Sequence, residues 1–306
     1  MNRYSRCSWW VILSAFVLVL SLVAGPVAET EAKRRKKPPK PPAASWQLAF
    51  SDDFDGQSLD EGKWTSEFPW GRDRSSVGEL QYYAPDAFNL DKGRLGITAQ
   101  TTSEGSHQYT SGLISSHNSF APEFGRFEIR CKLPRGQGLW PAFWLLPSDT
   151  SWPPEIDVFE ALGHEPNQVH MVAHWSEAGG HQQSGEVYSG PDFSADFHTF
   201  AVEWTAEKLV WFVDGVKRHE VVGKSPRGPM CLLANLAVGG NWPGAPDATT
   251  QFPATFEIDY IRAYQQGAAP VAKESKAPHK EKNGRKNGND NKRRRRSGPR
   301  RGAPAR

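Results

Sequence analysis

Three carboxylic acids stand close together in the stretch EIDVFE: Glu155, Asp157 and Glu160. Acids gathered this closely do not all ionise easily, because each negative charge raises the pKa of its neighbours. One then keeps its proton near neutrality while another is charged, the division of labour that a nucleophile and a proton donor require. On this reading Glu155 is the ionised nucleophile and Glu160 acts as acid and then base. Asp157 lies between them, orienting Glu155 and helping to keep the proton on Glu160. Strand geometry conflicts with this at first. Successive side chains point to opposite faces, so Glu155 and Asp157 share a face from which Glu160 should point away. One extra residue between Asp157 and Glu160, a β-bulge, resets the pleat and returns all three acids to one face.

An isolated ExDxxE reads more readily as the charged, wet side of a strand. The residues just upstream change that balance. In GLWPAFWLLP, Trp140, Ala142 and Trp144 share a strand face, so two indoles can line the groove that holds the acids. Flat aromatic side chains cover the apolar C–H faces of sugar rings, although either tryptophan alone would serve equally well in a core. Acids and indoles in one groove point to a glycosidic bond. Carboxyls about 5–5.5 Å apart suit a covalent glycosyl intermediate, and carboxyls about 6.5–9.5 Å apart suit direct attack by water. A bulged strand separates Glu155 and Glu160 by about 13 Å of backbone, at ~3.3 Å per residue. Curvature and leaning side chains must close that gap, and sequence spacing leaves both outcomes open. Pro141 predicts an edge or bulged position for its own strand.

The elements that must position these residues are short and β-like. Residues 46–266 form one series of such segments, among them RLGITAQ, QVHMVAHW, HTFAVEWT, MCLLANLAV and FEIDYIRAY, punctuated by Gly, Pro, Asn and Asp. No run reads as a long periodic helix, and no repeat of 20 to 50 residues marks a propeller or solenoid. The expected fold is all-β: a two-sheet antiparallel sandwich, or jelly roll, whose curved sheet presents a concave substrate cleft. In KLVWFVDGVKRHEV, Asp214-Gly215 suits a tight primed turn. In FEIRCKL, Phe127, Ile129, Cys131 and Leu133 alternate with charged residues, which implies one buried and one wet face. Cys131 and Cys231 both fall in apolar runs, as buried thiols or as a bridge in an oxidising compartment. No CxxC or CxxH spacing suggests zinc.

At this point the chain resembles glycoside hydrolase family 16. The resemblance spans nearly all of residues 48–266, through SDDFDG, GELQYY, GRFEIRCKLP, GLWPAFWLLP, EIDVFE, HMVAHW, VDG, NLAVGGNWPG and IDYIRAY. EIDVFE is the bulged form of the laminarinase-like, agarase and carrageenase branches. The resemblance implies a β-jelly roll and retaining endo-hydrolysis, with Glu155 as nucleophile, Asp157 as assisting acid and Glu160 as acid/base. It also matches Trp140, Trp144 and Trp242 to sugar-contacting tryptophans and His174 to a histidine near the catalytic centre, with Asn89 and Asn235 as polar contacts. No cofactor is required. Some relatives hold a structural calcium, which would map onto Asp259 and the Gly93 carbonyl. Two positions depart from the family pattern: Gly78 precedes Glu79 where many members have Asn, and Leu113 replaces an Arg. The expected substrate is a β-1,3- or mixed β-1,3/1,4-glucan; a galactan, an exopolysaccharide or sugar binding without turnover are the alternatives.

Both ends read differently from the middle. Residues 1–28 carry Arg3 and Arg6, an apolar run from Trp9 to Ala24 and then small residues, the pattern of a signal peptide, or of a membrane anchor if it stays uncleaved. The implied location is secreted, extracellular or periplasmic. Residues 29–45 form a basic, Pro-rich linker. Residues 267–306 hold 14 Lys or Arg, 3 acids and no aromatic residue, the composition of a disordered basic tail. Against these ends, residues 46–266 have 15 Lys or Arg and 29 Asp or Glu, a net charge of −14. The tail therefore suits an anionic envelope or matrix polymer, or the chain's own acidic domain, better than nucleic acid, for which it lacks interleaved aromatics; a solvated tail that only aids solubility is the plain alternative. A monomer is expected.

Overall fold

The computed structural model describes residues 45–102 and 106–267. The segments read as signal peptide, linker and tail lie outside these residues, apart from Ser45 and Gly267. Within them the chain forms strands β1 (Trp46–Asp52), β2 (Gln81–Tyr83), β3 (Phe88–Leu90), β4 (Leu95–Thr101), β5 (Tyr109–Ser111), β6 (Leu113–Ser115), β7 (Gly125–Lys132) and β8 (Leu139–Pro147). They continue as β9 (Glu155–Glu160), β10 (Gln168–Glu177), β11 (Gly180–Ser189), β12 (His198–Trp204), β13 (Lys208–Val213), β14 (Val216–Val222), β15 (Met230–Val238) and β16 (Ala254–Gln266).

Two sheets result. The larger runs β14-β13-β12-β7-β16-β4-β5-β2, with β1 beside β16 and β3 beside β4. The smaller runs β11-β10-β9-β8-β15-β6 and carries the acids. Neighbouring strands are antiparallel apart from the short β2–β5 pair. This is the expected sandwich. Alternation explains why it holds: on β7, Phe127, Ile129 and Cys131 point into the core, while Arg126, Glu128, Arg130 and Lys132 face outward. The apolar faces meet where Phe159 of the smaller sheet packs on Phe200 and Phe256 of the larger, with ring centroids 4.6 and 6.1 Å apart. Burying one such ring contributes about 1.5–3 kcal/mol.

Strand β15 is buried along its whole length, although one of its faces lies on the cleft side. Leu232, Ala234 and Leu236 enter the main core, while Cys231 and Leu233 join a second cluster with Phe68, Tyr83, Leu113 and Leu146. The segment around Phe68 and Tyr83 thus covers part of the concave face and leaves a cleft beside it. The same division separates the cysteines: Cys131 lies in the main core, Cys231 in the second cluster, and both are free buried thiols. The Asp214-Gly215 turn joins β13 to β14 with φ of 50° and 74°, the left-handed pair that a primed turn needs.

Pro141 corrects an expectation. Its strand, β8, is central, lying between β9 and β15. The proline is tolerated because its carbonyl, and hence its missing N–H, faces beyond the end of β9, where Ala161 N–H donates to Pro141 O.

Candidate active site

The register of β9 contains the bulge. Against β10, Glu160 pairs with His170 and Asp157 with Val172, so two residues of β9, Val158 and Phe159, oppose the single Met171. Against β8 the shift falls between Phe143 and Trp144. Both Val158 and Phe159 are buried in the core together with Ile156. Their burial turns Glu155, Asp157 and Glu160 to the other face, where all three line one cleft with Trp140, Ala142 and Trp144.

Each acid has a distinct set of partners. Trp140 Nε1–H donates to Glu160 Oε1 at 3.1 Å. Trp152 Nε1–H donates to Glu155 Oε2 at 2.9 Å. Asp157, 2 % exposed, shares a hydrogen bond with Glu155 and lies 3.1 Å from His174 Nε2. Burial pushes Glu160 well above the usual carboxylate range, and the charges of Asp157 and Glu155 add to the effect. Asp157 is raised well above its ordinary value by burial and by the charge of Glu155. Glu155 is raised too, again by burial, but His174, the hydrogen bonds from Asp157 and Trp152, and the charge of Arg74 all act to keep it ionised. All three carboxyls thus favour the protonated form more than free acids do, and Glu155 is the one whose neighbours act most to keep it charged. His174 is shifted down by burial, against the opposing charge of Glu155.

A second polar chain runs along the other wall. Trp144 Nε1–H donates to Asn235 Oδ1 at 2.8 Å, Asn235 Nδ2–H donates to the Tyr83 hydroxyl at 3.1 Å, and that hydroxyl donates to Glu79 Oε2 at 3.0 Å. Gln81 Nε2–H also donates to Glu79, at 2.6 Å. Arg74 Nε lies 3.6 Å from Glu79, and the guanidinium sits over the Phe68 and Trp70 rings. Sequence reasoning singled out none of Arg74, Glu79, Gln81, Tyr83 and Trp152 as site residues. The signal for three of them was available: in GELQYY, Glu79, Gln81 and Tyr83 share one strand parity, an acid aligned with a hydroxyl and an amide.

Of the other residues singled out from sequence, Trp140, Trp144 and Asn235 line the cleft and His174 contacts two of the acids. Trp242, 43 % exposed, sits edge-on to Trp140 at 5.5 Å and to His170 at 4.6 Å, which flanks the cleft near Glu160. Asn89 is not in the site. On β3, Phe88 and Leu90 pack against the core, so alternation turns Asn89 to solvent on the outer face of the opposite sheet.

Residues 81–262 match the family model described as Glycosyl hydrolases family 16. The chain belongs to glycosyl hydrolase family 16. It is similar to the endo-1,3-1,4-beta-glycanase ExsH of Rhizobium meliloti (strain 1021), with 37 % identity over 72 % of this chain and 52 % of that protein. It therefore spans about half the length of that relative. A beta-glucanase of Rhodothermus marinus is 33 % identical over 73 % of this chain and 86 % of its own length. Among solved structures, the laminarinase catalytic domain of Thermotoga maritima superposes with a TM-score of 0.67 at 36 % identity, over 73 % of this chain and 99 % of that one.

The two departures from the family 16 pattern have physical reasons. Gly78 is left-handed, with φ of 82°, and a Cβ there would come within 2.9 Å of Asn241 Oδ1, so glycine suits both the backbone and the space. Leu113 is fully buried in the second cluster beside Phe68 and Tyr83, where a guanidinium would be desolvated. The calcium position carried over from the family fits this chain poorly: the Asp259 carboxylate is ion-paired with Arg130 at 2.5 Å and so faces a cation already. Among the described residues, only Glu155, Asp157 and His174 gather donors closely enough for a metal, within 4.8 Å of one another, and all three are hydrogen-bonded already.

Proposed function

We propose that this chain is a retaining endo-glycoside hydrolase acting on β-1,3- or mixed β-1,3/1,4-glucan. The observation that carries the reading is the bulge of β9, which gathers three acids in one tryptophan-lined cleft. In the first step a Glu155 oxygen attacks the anomeric carbon and the bond to the leaving oxygen breaks, while Glu160 gives that oxygen its proton. Glu160, now ionised, takes a proton from water as that water attacks the anomeric carbon, and Glu155 leaves as a carboxylate. Asp157 hydrogen-bonds Glu155 throughout and stabilises its charge. The glucan assignment is supported by the names of the similar glycanase, glucanase and laminarinase. Export and attachment to an anionic envelope or matrix belong to the same proposal and rest on the sequences of residues 1–28 and 267–306.

The test is the release of new reducing ends from laminarin, lichenan, agarose and carrageenan. Cleavage of either of the first two supports the reading, and cleavage of only the last two refutes the glucan assignment. Glu155→Ala should abolish turnover while sugar binding persists. A wild-type protein that binds sugar as the variant does, with no turnover in either, is a binding module.

A further inference from the structure

Next to the acids, one exposed side chain has no part in the scheme above. His181 lies on β11, the edge strand of the cleft sheet, which is solvent-facing along most of its length. Its Nε2 is 2.8 Å from His174 Nδ1, and the two rings lie edge to edge and nearly coplanar, with centroids 5.1 Å apart and planes at 22°. Trp152 covers the pair, 4.8 Å from His181 and 6.2 Å from His174, while its own indole N–H holds Glu155. His181 therefore touches both routes by which donors reach Glu155.

A neutral imidazole has one N–H and one lone pair, so the hydrogen bond at one nitrogen decides what the other can do. Burial favours the neutral form of His174. If its proton is on Nε2, it donates to Asp157 Oδ2, and the proton of Asp157 is free to point to Glu155. If its proton is on Nδ1, a lone pair faces Asp157 across 3.1 Å. Asp157 must then turn its proton toward His174, and Glu155 loses its donor.

We propose that His181 is a positioning residue for Glu155, donating from Nε2–H to His174 Nδ1 and so fixing the His174 proton on Nε2. The result is a hydrogen-bond chain with one direction, His181 to His174 to Asp157 to Glu155. It rests on the hydrolase reading above and extends it to the strand edge. The donor at the end of the chain stabilises negative charge on Glu155, which matters most when Glu155 leaves the sugar in the second step.

The test compares His181→Phe, which keeps a ring against Trp152 and removes the donor, with His181→Gln, whose amide can still donate. Two quantities are read on the full chain: steady-state kinetics on whichever glucan it cleaves, and the 15N chemical shifts of the His174 ring. His181→Phe is expected to lower kcat by about tenfold or more with KM unchanged or lower, and to spread the His174 proton over both nitrogens. His181→Gln is expected to restore an Nε2–H ring and a kcat within about threefold of wild type. An Nε2–H ring and unaltered kcat in His181→Phe overturn the proposal. If wild type cleaves no polysaccharide, the hydrolase reading fails, and the 15N shifts still decide whether His181 sets the His174 proton.

Discussion

Burial holds the proton on Glu160 well above the usual carboxylate range, and this has one consequence for rate and another for stability. The rate requires Glu160 protonated and Glu155 ionised. Activity should fall on the acid side as the coupled Glu155–Asp157 pair takes up a further proton, and on the alkaline side as Glu160 loses its own. Glu160→Gln should lower kcat/KM on natural polysaccharide by at least about a hundredfold and remove the alkaline limb from whatever activity remains. For stability, a carboxyl whose pKa is higher folded than unfolded contributes most below the ordinary carboxylate range, and its contribution is lost as pH rises toward the folded value. Glu160→Gln should therefore melt like wild type at about pH 4, near the unperturbed carboxylate pKa. At neutral pH it should melt higher, by about 2–4 °C for each kcal/mol recovered in a domain of this size. Equal melting temperatures at neutral pH would mean that Glu160 is not buried as described. The acid trio was legible in sequence because spacing and neighbouring indoles both constrained it. His181 and Trp152 were not, because neither sits in a periodic apolar pattern, and they reach the site only through strand pairing and a loop between β8 and β9.

At the level of the strand, the bulge was legible from parity alone: three acids on one face are incompatible with an unbroken pleat over residues 155–160. The edge or bulged position expected for Pro141 failed because the residue pairs with Leu236 of β15 on one side and lies beyond the paired end of β9 on the other. The bulge has a sharper corollary. Deleting Val158 leaves EIDFE, in which the three acids again share one parity without any bulge. The acids should stay in the cleft, one step closer, and the core should lose a buried valine, a cost of about 1.5–3 kcal/mol. The shortened protein should keep its strand content by circular dichroism and melt lower. It should also keep roughly a tenth to a hundredth of the wild-type rate, because the donor is displaced by ångströms rather than removed. A rate as low as that of Glu160→Gln would show that spacing, and not the shared face, is what the bulge supplies. At the other sheet, Gly215 sits at φ of 74° in the β13–β14 turn. Gly215→Ala should cost about 1–2 kcal/mol in chemical denaturation, with kcat unaltered.

Over the whole molecule, charge is segregated by segment: residues 46–266 carry −14 in net charge, while residues 267–306 hold 14 Lys or Arg and 3 acids. The sandwich was legible because its strands alternate. What the charge pattern does is a question of range. At physiological salt the Debye length is about 8 Å, so the tail's field acts only on what it touches, and at 1 M it shrinks to about 3 Å. A neutral glucan gains nothing from such a field, whereas a carboxylated or phosphorylated matrix releases counterions on binding and is held strongly at low salt. The full chain should therefore be retained on a carboxylated polysaccharide resin at low ionic strength and released as salt approaches about 1 M. The chain cut to residues 46–266 should pass through that resin. Both should cleave laminarin with kcat/KM agreeing within about twofold, since the acids and tryptophans of the cleft all lie within residues 46–266. Retention of the cut chain would locate the anion-binding surface on the sandwich itself, and a large loss of laminarin turnover on cutting would make the tail part of the substrate site.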